Sequence, residues 1–359
     1  MQNNLHKDFK LNGFSFTSVD EILSYSKDFS EEIYQFLQDW FSKKEYVIVQ
    51  TSGSTGTPKD IQLLKQKMIN SALATGQFFN LKPKTTALMC LPSKYIAGKM
   101  MLVRALILGW HLDIVSSNAS PLKTISKKYD FSAMVPLQVE NSLNKIHLLE
   151  TLIIGGGVVS KKLQDKLQSF STNVFATYGM TETITHIAIK KLNHFKGAIS
   201  NSVASAYYKT LPNTTIYIDQ RNCLVLKNNN VANEIVFTND VVQLISDTQF
   251  EWLGRVDNVI NSGGIKLHPE KIEEQLATLI NQRFFVTGIE DELLGNKLIL
   301  VVEAPIDNEL DKKKLFSKIK SLTALSKFEI PKEIYFIDQF IETGTKKIQR
   351  NKTLKLLKR

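Results

Sequence analysis

Nine positions near the start of the chain, Thr51-Ser-Gly-Ser-Thr-Gly-Thr-Pro-Lys59, carry five hydroxyls, two glycines and a lysine. Gly53 and Gly56 let the backbone turn tightly and bring N–H groups close to an anion. Thr51, Ser52, Ser54 and Thr55 add donors, and Lys59 adds a point charge that phosphate oxygens favour. The chemistry is phosphate binding, although the spacing is not that of the GxxxxGK(S/T) loop. A surface linker can share this composition, but such linkers seldom follow an apolar run like Tyr46-Val-Ile-Val-Gln50 and end in Pro-Lys.

Four further clusters can act on a ligand. Tyr178-Gly-Met-Thr-Glu-Thr183 offers a flat aromatic face, the Thr181 hydroxyl and, in Glu182, a hard oxygen ligand suited to Mg²⁺. A Tyr178-Gly179 turn with a following glutamate would equally cap a helix. Gly155, Gly156 and Gly157 after the run TLII let a ligand lie against the backbone, and a tight strand-to-helix turn explains them nearly as well. Between Trp252 and Glu273, Arg255 and Asp257 flank a domain boundary, and Gly263 and Gly264 read as a hairpin-like turn before a helix started by Pro269. A hinge is the functional reading, a plain interdomain turn the simpler one. Thr343-Gly-Thr-Lys-Lys-Ile-Gln-Arg350 places lysines near the C-terminus, which alone read as charge on a basic tail.

The elements that position these clusters follow from periodicity. Tyr46–Gln50 reads as a buried strand, DIQLLKQ as extended and MINSALATGQFF as helical. TALMCLP, HLDIVS, FSAMVP and TLIIGGG read as short apolar strands, with helical patterns GKMMLVRALILG and SKKLQDKLQSF between them. That alternation predicts an α/β fold with largely parallel strands. After about residue 195, TTIYIDQRNCLVLKN and NEIVFTNDVVQLI predict a β-rich subdomain. From Asn258, helix and strand patterns predict a compact α+β unit, so the expected domains are 1–257 and 258–359.

Composition limits the function classes. At 43% hydrophobic and 22% charged residues over 359 positions, the chain reads as ordinary globular protein. The apolar runs are too short for a membrane span, and the opening residues do not read as a signal peptide. Cys90 and Cys223 have no zinc or disulfide spacing, which predicts a reducing cytoplasm. The net charge of +10 sits in Lys-rich patches without interleaved aromatics or a nucleic-acid module, so it reads as a solvated face rather than a nucleic-acid site. A homo-oligomer is left open.

Together and in this order, the five clusters resemble the adenylate-forming family of acyl- and aryl-CoA synthetases, luciferases and peptide-synthetase adenylation domains, over roughly residues 46–352. The resemblance implies a large adenylation domain and a small mobile C-terminal one, with ATP, Mg²⁺ and coenzyme A acting on a small-molecule carboxylic acid. It implies that residues 51–59 hold the β- and γ-phosphates, with Gly155–Gly157 and Gly179 also lining the nucleotide site. Tyr178 would meet adenine, Thr181 the α-phosphate and Glu182 the metal. Asp240 would bind the ribose hydroxyls, with Asn239 where the family usually has glycine, and Arg255 would bind ribose or phosphate. Asp257 would be the hinge, Gly264 would face the thiol's arm, and Lys347 would meet the carboxylate and α-phosphate, with Lys346 replacing the usual glycine.

The glycine loop starts at residue 51, where most members carry roughly a hundred or more further residues before it. That economy, with Thr183-Ile-Thr-His-Ile-Ala188, is similar to the short o-succinylbenzoate–CoA ligases of menaquinone synthesis. Another acyl- or aryl-CoA ligase, or a non-catalytic nucleotide-binding module, are the competing readings. Leu91–Gly98 matches the acyl-pocket loop, with Tyr95 where histidine is common. The second carboxylate of such an acid wants a cation, for which Lys94, Lys99 and Arg104 are candidates, and His186 could line the same pocket; surface charges and a core histidine are the plainer readings.

Overall fold

A short antiparallel pair, β1 (Lys10–Leu11) and β2 (Phe14–Ser15), precedes two helices, α1 (Val19–Phe29) and α2 (Glu31–Phe41), in the computed structural model, which describes residues 5–50, 60–194, 207–305, 309–342 and 348–357, with 309–311 as backbone. Helix α2 buries Ile33, Phe36, Leu37 and Trp40, the spacing of a single apolar helix face. Next, β3 (Tyr46–Gln50) pairs antiparallel with β4 (Asp60–Leu64), Gln50 opposite Asp60, and α3 (Lys65–Phe78) follows. Tyr46–Gln50 therefore belongs to a separate ribbon rather than to the main sheet. Val47 and Val49 face the core while Ile48 is half-exposed, the period-2 alternation of a strand covered on one side.

The middle of the chain alternates as its apolar runs predict: β5 (Thr86–Met89), α4 (Ile96–Leu108), β6 (His111–Ile114), β7 (Tyr129–Met134), α5 (Pro136–Glu140), β8 (Leu149–Ile154), α6 (Lys161–Leu167) and β9 (Asn173–Gly179). The five strands lie parallel in the order β6-β5-β7-β8-β9, buried nearly throughout because helices cover a parallel sheet. Gly109 closes α4 in the left-handed region, φ 70°, where a side chain would strain the turn.

At β9 the sheet changes character. Antiparallel to it runs β10 (His186–Lys191), followed by β11 (Tyr208–Thr210), β12 (Thr215–Ile218), β13 (Cys223–Lys227), β14 (Val236–Leu244) and β15 (Gln249–Arg255) in the spatial order β10-β11-β15-β14-β13-β12. With β1 and β2 at the far edge, the described residues form one sheet of thirteen strands. Carboxyl ends of parallel strands beside such a switch are where α/β sheets open a crevice for ligands. The ends of β5, β8 and β9 lead into Leu91–Gly98, Gly155–Gly157 and Tyr178–Thr183 respectively.

A second sheet comprises β16 (Ile260–Ser262), β17 (Ile265–Leu267), β18 (Phe284–Asp291), β19 (Gly295–Glu303) and β20 (Glu333–Ile337), with helices α7 (Pro269–Leu276), α8 (Glu309–Lys320) and α9 (Arg350–Leu354). Its main apolar cluster, including Ile272, Val286, Leu300, Ile319 and Ile334, draws on residues from Ile260 onward among those described. Among the described residues no helix is long and apolar enough to cross a membrane.

Candidate functional site

Three strands deliver four polar side chains to one spot. Tyr178 ends β9, Asp240 lies on β14 and Trp252 and Arg255 lie on β15, where Asp240 and Arg255 are cross-strand partners. The Tyr178 hydroxyl donates to Asp240 Oδ2 at 2.7 Å, and the Trp252 indole donates to Oδ1 at 3.0 Å. Arg255 stands 3.8 Å from Oδ1 and also reaches Asp257 at 3.3 Å. Burial, and then the charge of Asp240, push the Tyr178 phenol well above its ordinary pKa, so the hydroxyl stays a donor. Its ring meets Phe250 edge-on at 5.2 Å. The result is a buried carboxylate whose remaining lone pairs can accept from hydroxyls, with a half-exposed guanidinium beside it.

Beyond Tyr178 the chain reverses. A Cβ on Gly179 would overlap the Thr185 carbonyl, so only glycine lets β9 and β10 close this tightly. Residues Thr181–Thr183 make a single 3-10 turn that leaves Thr181 half-buried and Glu182 exposed at the tip. Ile184 follows at φ 66°, ψ −64°, with the Thr185 N–H donating to the Thr183 carbonyl at 2.8 Å. This is a γ-turn of the strained hand, costing about 1–3 kcal/mol for a residue with a side chain. Burial of the Ile184 side chain holds it, and the turn aims Thr185 and His186 inward.

Inward of that turn lies a second polar cluster. Arg104 of α4 is 2% exposed. Its Nε donates to Thr75 Oγ1 and one terminal nitrogen to Thr185 Oγ1, each at 3.2 Å, while the other meets only the Met101 sulfur at 3.8 Å. Ser71 lies 3.0 Å from Thr185 Oγ1, and His186 Nε2 lies 3.3 Å from Thr75 Oγ1. Burial lowers the Arg104 pKa to about 10, so the guanidinium remains charged at neutral pH. Burial first, and Arg104 second, hold His186 well below its ordinary 6.5, so it is neutral. Among the described residues no carboxylate pairs with Arg104, an arrangement that costs several kcal/mol for a buried ion unless an anion is supplied.

Apart from Asp257, which Arg255 reaches, the other expected residues take separate positions. Lys99 lies 4.8 Å over the Phe36 ring, near Glu32 and Asp39 of α2, five residues and over 100° around the helix from Arg104. It is partly buried against α2 rather than in the Arg104 cluster. Lys94 is exposed, and Tyr95 sits at the start of α4, its N–H on the Pro92 carbonyl at 3.3 Å. Gly155 is pressed against Thr177, a Cβ there lying 2.8 Å from the hydroxyl, and Gly156 has φ 77°, so turn geometry accounts for both; Gly157 is exposed with only ordinary contact distances. Asp257 lies on the turn joining the two sheets, and Gly264 sits at the tip of the β16–β17 hairpin with open space around it. Thr51, Ser52, Gly53, Ser54, Thr55, Gly56, Lys59 and Lys347 lie outside the described residues.

Several residues here escaped the motif reading. Trp252 opens a motif segment, and nothing in its spacing marks it as a donor to Asp240. Ser71 and Thr75 stand one helical turn apart on α3, and two hydroxyls at that spacing beside apolar positions were the available signal.

The sequence and fold have known counterparts. The profile described as AMP-binding enzyme matches residues 17–242. A 2-succinylbenzoate–CoA ligase of Listeria monocytogenes is 24% identical over 92% of this chain and 74% of its own length. An acyl-CoA synthetase (AMP-forming)/AMP-acid ligase II-like protein from Dyadobacter fermentans is 36% identical, with a TM-score of 0.58 over 90% of this chain and 93% of that one. The o-succinylbenzoate–CoA synthetase of Bacillus subtilis, solved with its acyl-adenylate intermediate, shares the fold at 19% identity, with a TM-score of 0.72 over 95% and 81% of the two chains. With well over half its length matched by the family profile and most of it by a relative above 30% identity, the chain belongs to the AMP-binding enzyme family.

Proposed function

We propose that this acid–thiol ligase joins o-succinylbenzoate to coenzyme A through an acyl-adenylate. The observation that carries the substrate is Arg104: a buried, charged guanidinium with unfilled donors and no carboxylate partner among the described residues. Activation consumes one carboxylate of a dicarboxylic acid and leaves the other ionised. A planar fork beside Thr75, Thr185 and neutral His186 suits that remaining group, whereas a monocarboxylate would leave the cation unpaired. The same substrate is named for the Listeria and Bacillus relatives.

In the first step a carboxylate oxygen attacks the α-phosphorus of ATP, and the bond to the bridging oxygen breaks to release pyrophosphate. The acid is already ionised, so no general base is needed. Asp240 accepts the ribose hydroxyls, its geometry fixed by Tyr178 and Trp252, and Arg255 at the rim faces ribose or phosphate. Residues 51–59 hold the β- and γ-phosphates, Gly155–Gly157 and Gly179 let the nucleotide lie against the backbone, and Lys347 bridges carboxylate and α-phosphate. Thr181 reaches the α-phosphate, and Glu182, an exposed single carboxylate, suits Mg²⁺, which takes one or two protein carboxylates alongside phosphate oxygens. When bound there, Mg²⁺ would supply charge neutralisation on the phosphates. In the second step, after residues 258–359 turn about Asp257 and bring Gly264 to the thiol's arm, the thiol releases its proton to solvent, its sulfur attacks the acyl carbon and the bond to AMP breaks. Both cysteines are buried and unpaired, which fits a reducing cytoplasm.

Pyrophosphate release with ATP and Mg²⁺ tests the assignment across o-succinylbenzoate, benzoates and fatty acids, with and without coenzyme A. Release with o-succinylbenzoate at least tenfold above the others is expected. Equal or greater release with a monocarboxylate would remove the substrate.

A further inference from the structure

Helix α7 has two charged faces with different attachments. Glu273 belongs to the second sheet: its carboxylate accepts from the Val286 N–H at 2.8 Å and from Arg350 at 2.9 Å, so α7 moves with that sheet. Lys271 points the other way, while Glu270, one turn before Glu273 and also near Arg350, reaches the joining turn and the end of β15. Lys271 pairs with Glu251 of β15 in the large sheet, with Glu274 at 3.7 Å and Lys190 of β10 close by. Glu270 Oε1 accepts the side-chain amide of Asn258, on the joining turn, and lies 3.9 Å from Arg350. Its other oxygen rests against the bare Cα of Gly254, where any Cβ would overlap it. Among the described residues that oxygen is buried and has no hydrogen-bond donor.

We propose that Glu270 and Lys271 are positioning residues that lock the second sheet onto β15 in one orientation and thereby set the balance between the two half-reactions. This rests on the reading that residues 258–359 turn about Asp257 between the steps. The physical case is one of opposed terms. The partly buried Lys271–Glu251 pair and the Asn258–Glu270 bond hold α7 down. The donorless Glu270 oxygen works against them, because a desolvated acceptor without a partner is relieved as soon as water reaches it. A contact held together and opposed at the same residue is close to balanced, as a reversible dock must be. Gly254, at φ 145°, is the position that admits the carboxylate, one residue before Arg255 of the nucleotide cluster. The dock therefore touches the end of β15 that pairs with Asp240 of β14, and its closing and opening are felt there.

The test uses the full chain carrying spin labels at two exposed positions, Leu137→Cys on the large sheet side and Leu293→Cys on the second. Pulsed-EPR distances are measured beside the rates of adenylation and of thioester formation from supplied acyl-adenylate. Lys271→Met and Gly254→Ala are each expected to shift or broaden the distance distribution. Each is also expected to change the ratio of the two rates about fivefold or more, with the Tm of Lys271→Met within a few degrees of the parent. Glu251→Gln should reproduce Lys271→Met, and the double variant should add little to either. Unchanged distances and an unchanged ratio overturn the lock. Equal loss of both rates with a lowered Tm reduces these residues to a structural role and overturns it too. A shifted distance with an unchanged ratio keeps the lock and removes the turning reading on which its functional consequence rests.

Discussion

Around Asp240 every strong group has a partner in the protein, whereas around Arg104 the strongest group has none of opposite charge among the described residues. Asp240 takes a phenol, an indole and a nearby guanidinium, an anion with a protein partner on each oxygen and lone pairs to spare. Arg104 has hydroxyls and a thioether, a cation matched for hydrogen bonds on one side only. The first cluster is preorganised and contributes to stability whether or not a nucleotide is bound. The second is held at a cost, which an incoming anion offsets. One site is built before its ligand and the other is completed by it.

Opposite signs of stability follow from that contrast, and the largest effect is expected at the matched site. Asp240→Ala strands the Tyr178 hydroxyl and the Trp252 indole, each costing about 1–3 kcal/mol when buried and unpartnered. Chemical unfolding should show the loss, and kcat/KM for ATP should fall on the order of 100-fold. A stable Asp240→Ala protein with normal ATP kinetics would erase the distinction. Arg104→Met should raise KM for o-succinylbenzoate about 10- to 100-fold with ATP kinetics unchanged, as expected for losing charge-assisted hydrogen bonds. The same change should make the unliganded protein more stable by about 1–4 kcal/mol, because an unpaired buried ion is removed. Loss of stability on Arg104→Met would show that the cation is compensated within the protein.

Smaller effects sharpen the same contrast. At a hundredfold excess over Kd, o-succinylbenzoate should stabilise the parent by about 2.7 kcal/mol, read as a Tm increase, and leave Arg104→Met nearly unmoved. The smallest signal is acid sensitivity from His186, whose imidazole burial and Arg104 keep neutral in the fold. Below about its ordinary 6.5 the unfolded chain takes a proton that the folded one refuses, so stability is lost as pH falls from there. Urea unfolding at pH 7 and pH 5 should show a shallower loss for His186→Gln than for the parent. An identical loss would place a proton on His186 in the folded state.

The chain reads well wherever chemistry and local geometry coincide. Gly179 sits in a motif and its backbone admits no other residue, and Gly263–Gly264 make the hairpin turn that their sequence suggests. Apolar runs from Thr86 to Ile154 become parallel strands because continuous burial needs continuous apolar side chains. Tyr46–Gln50 has the same texture yet forms a ribbon outside that sheet, since strand propensity does not name a partner. Lys99 and Arg104 look alike as cations on one helix, and only their angular positions separate a partly buried contact on Phe36 from a fully buried fork.

By themselves, then, the residues determined the α/β alternation, the glycine turns and the motifs that resemble an acid-activating ligase, because these depend on neighbours within a few positions. The tertiary structure alone decided that Tyr178, Asp240, Trp252 and Arg255 share one hydrogen-bonded cluster, that Ser71 and Thr75 meet Thr185 and Arg104, and that Glu270 rests on Gly254. Those contacts join residues far apart in the chain. Their energies depend on burial and the direction of approach, which spacing along a sequence does not encode.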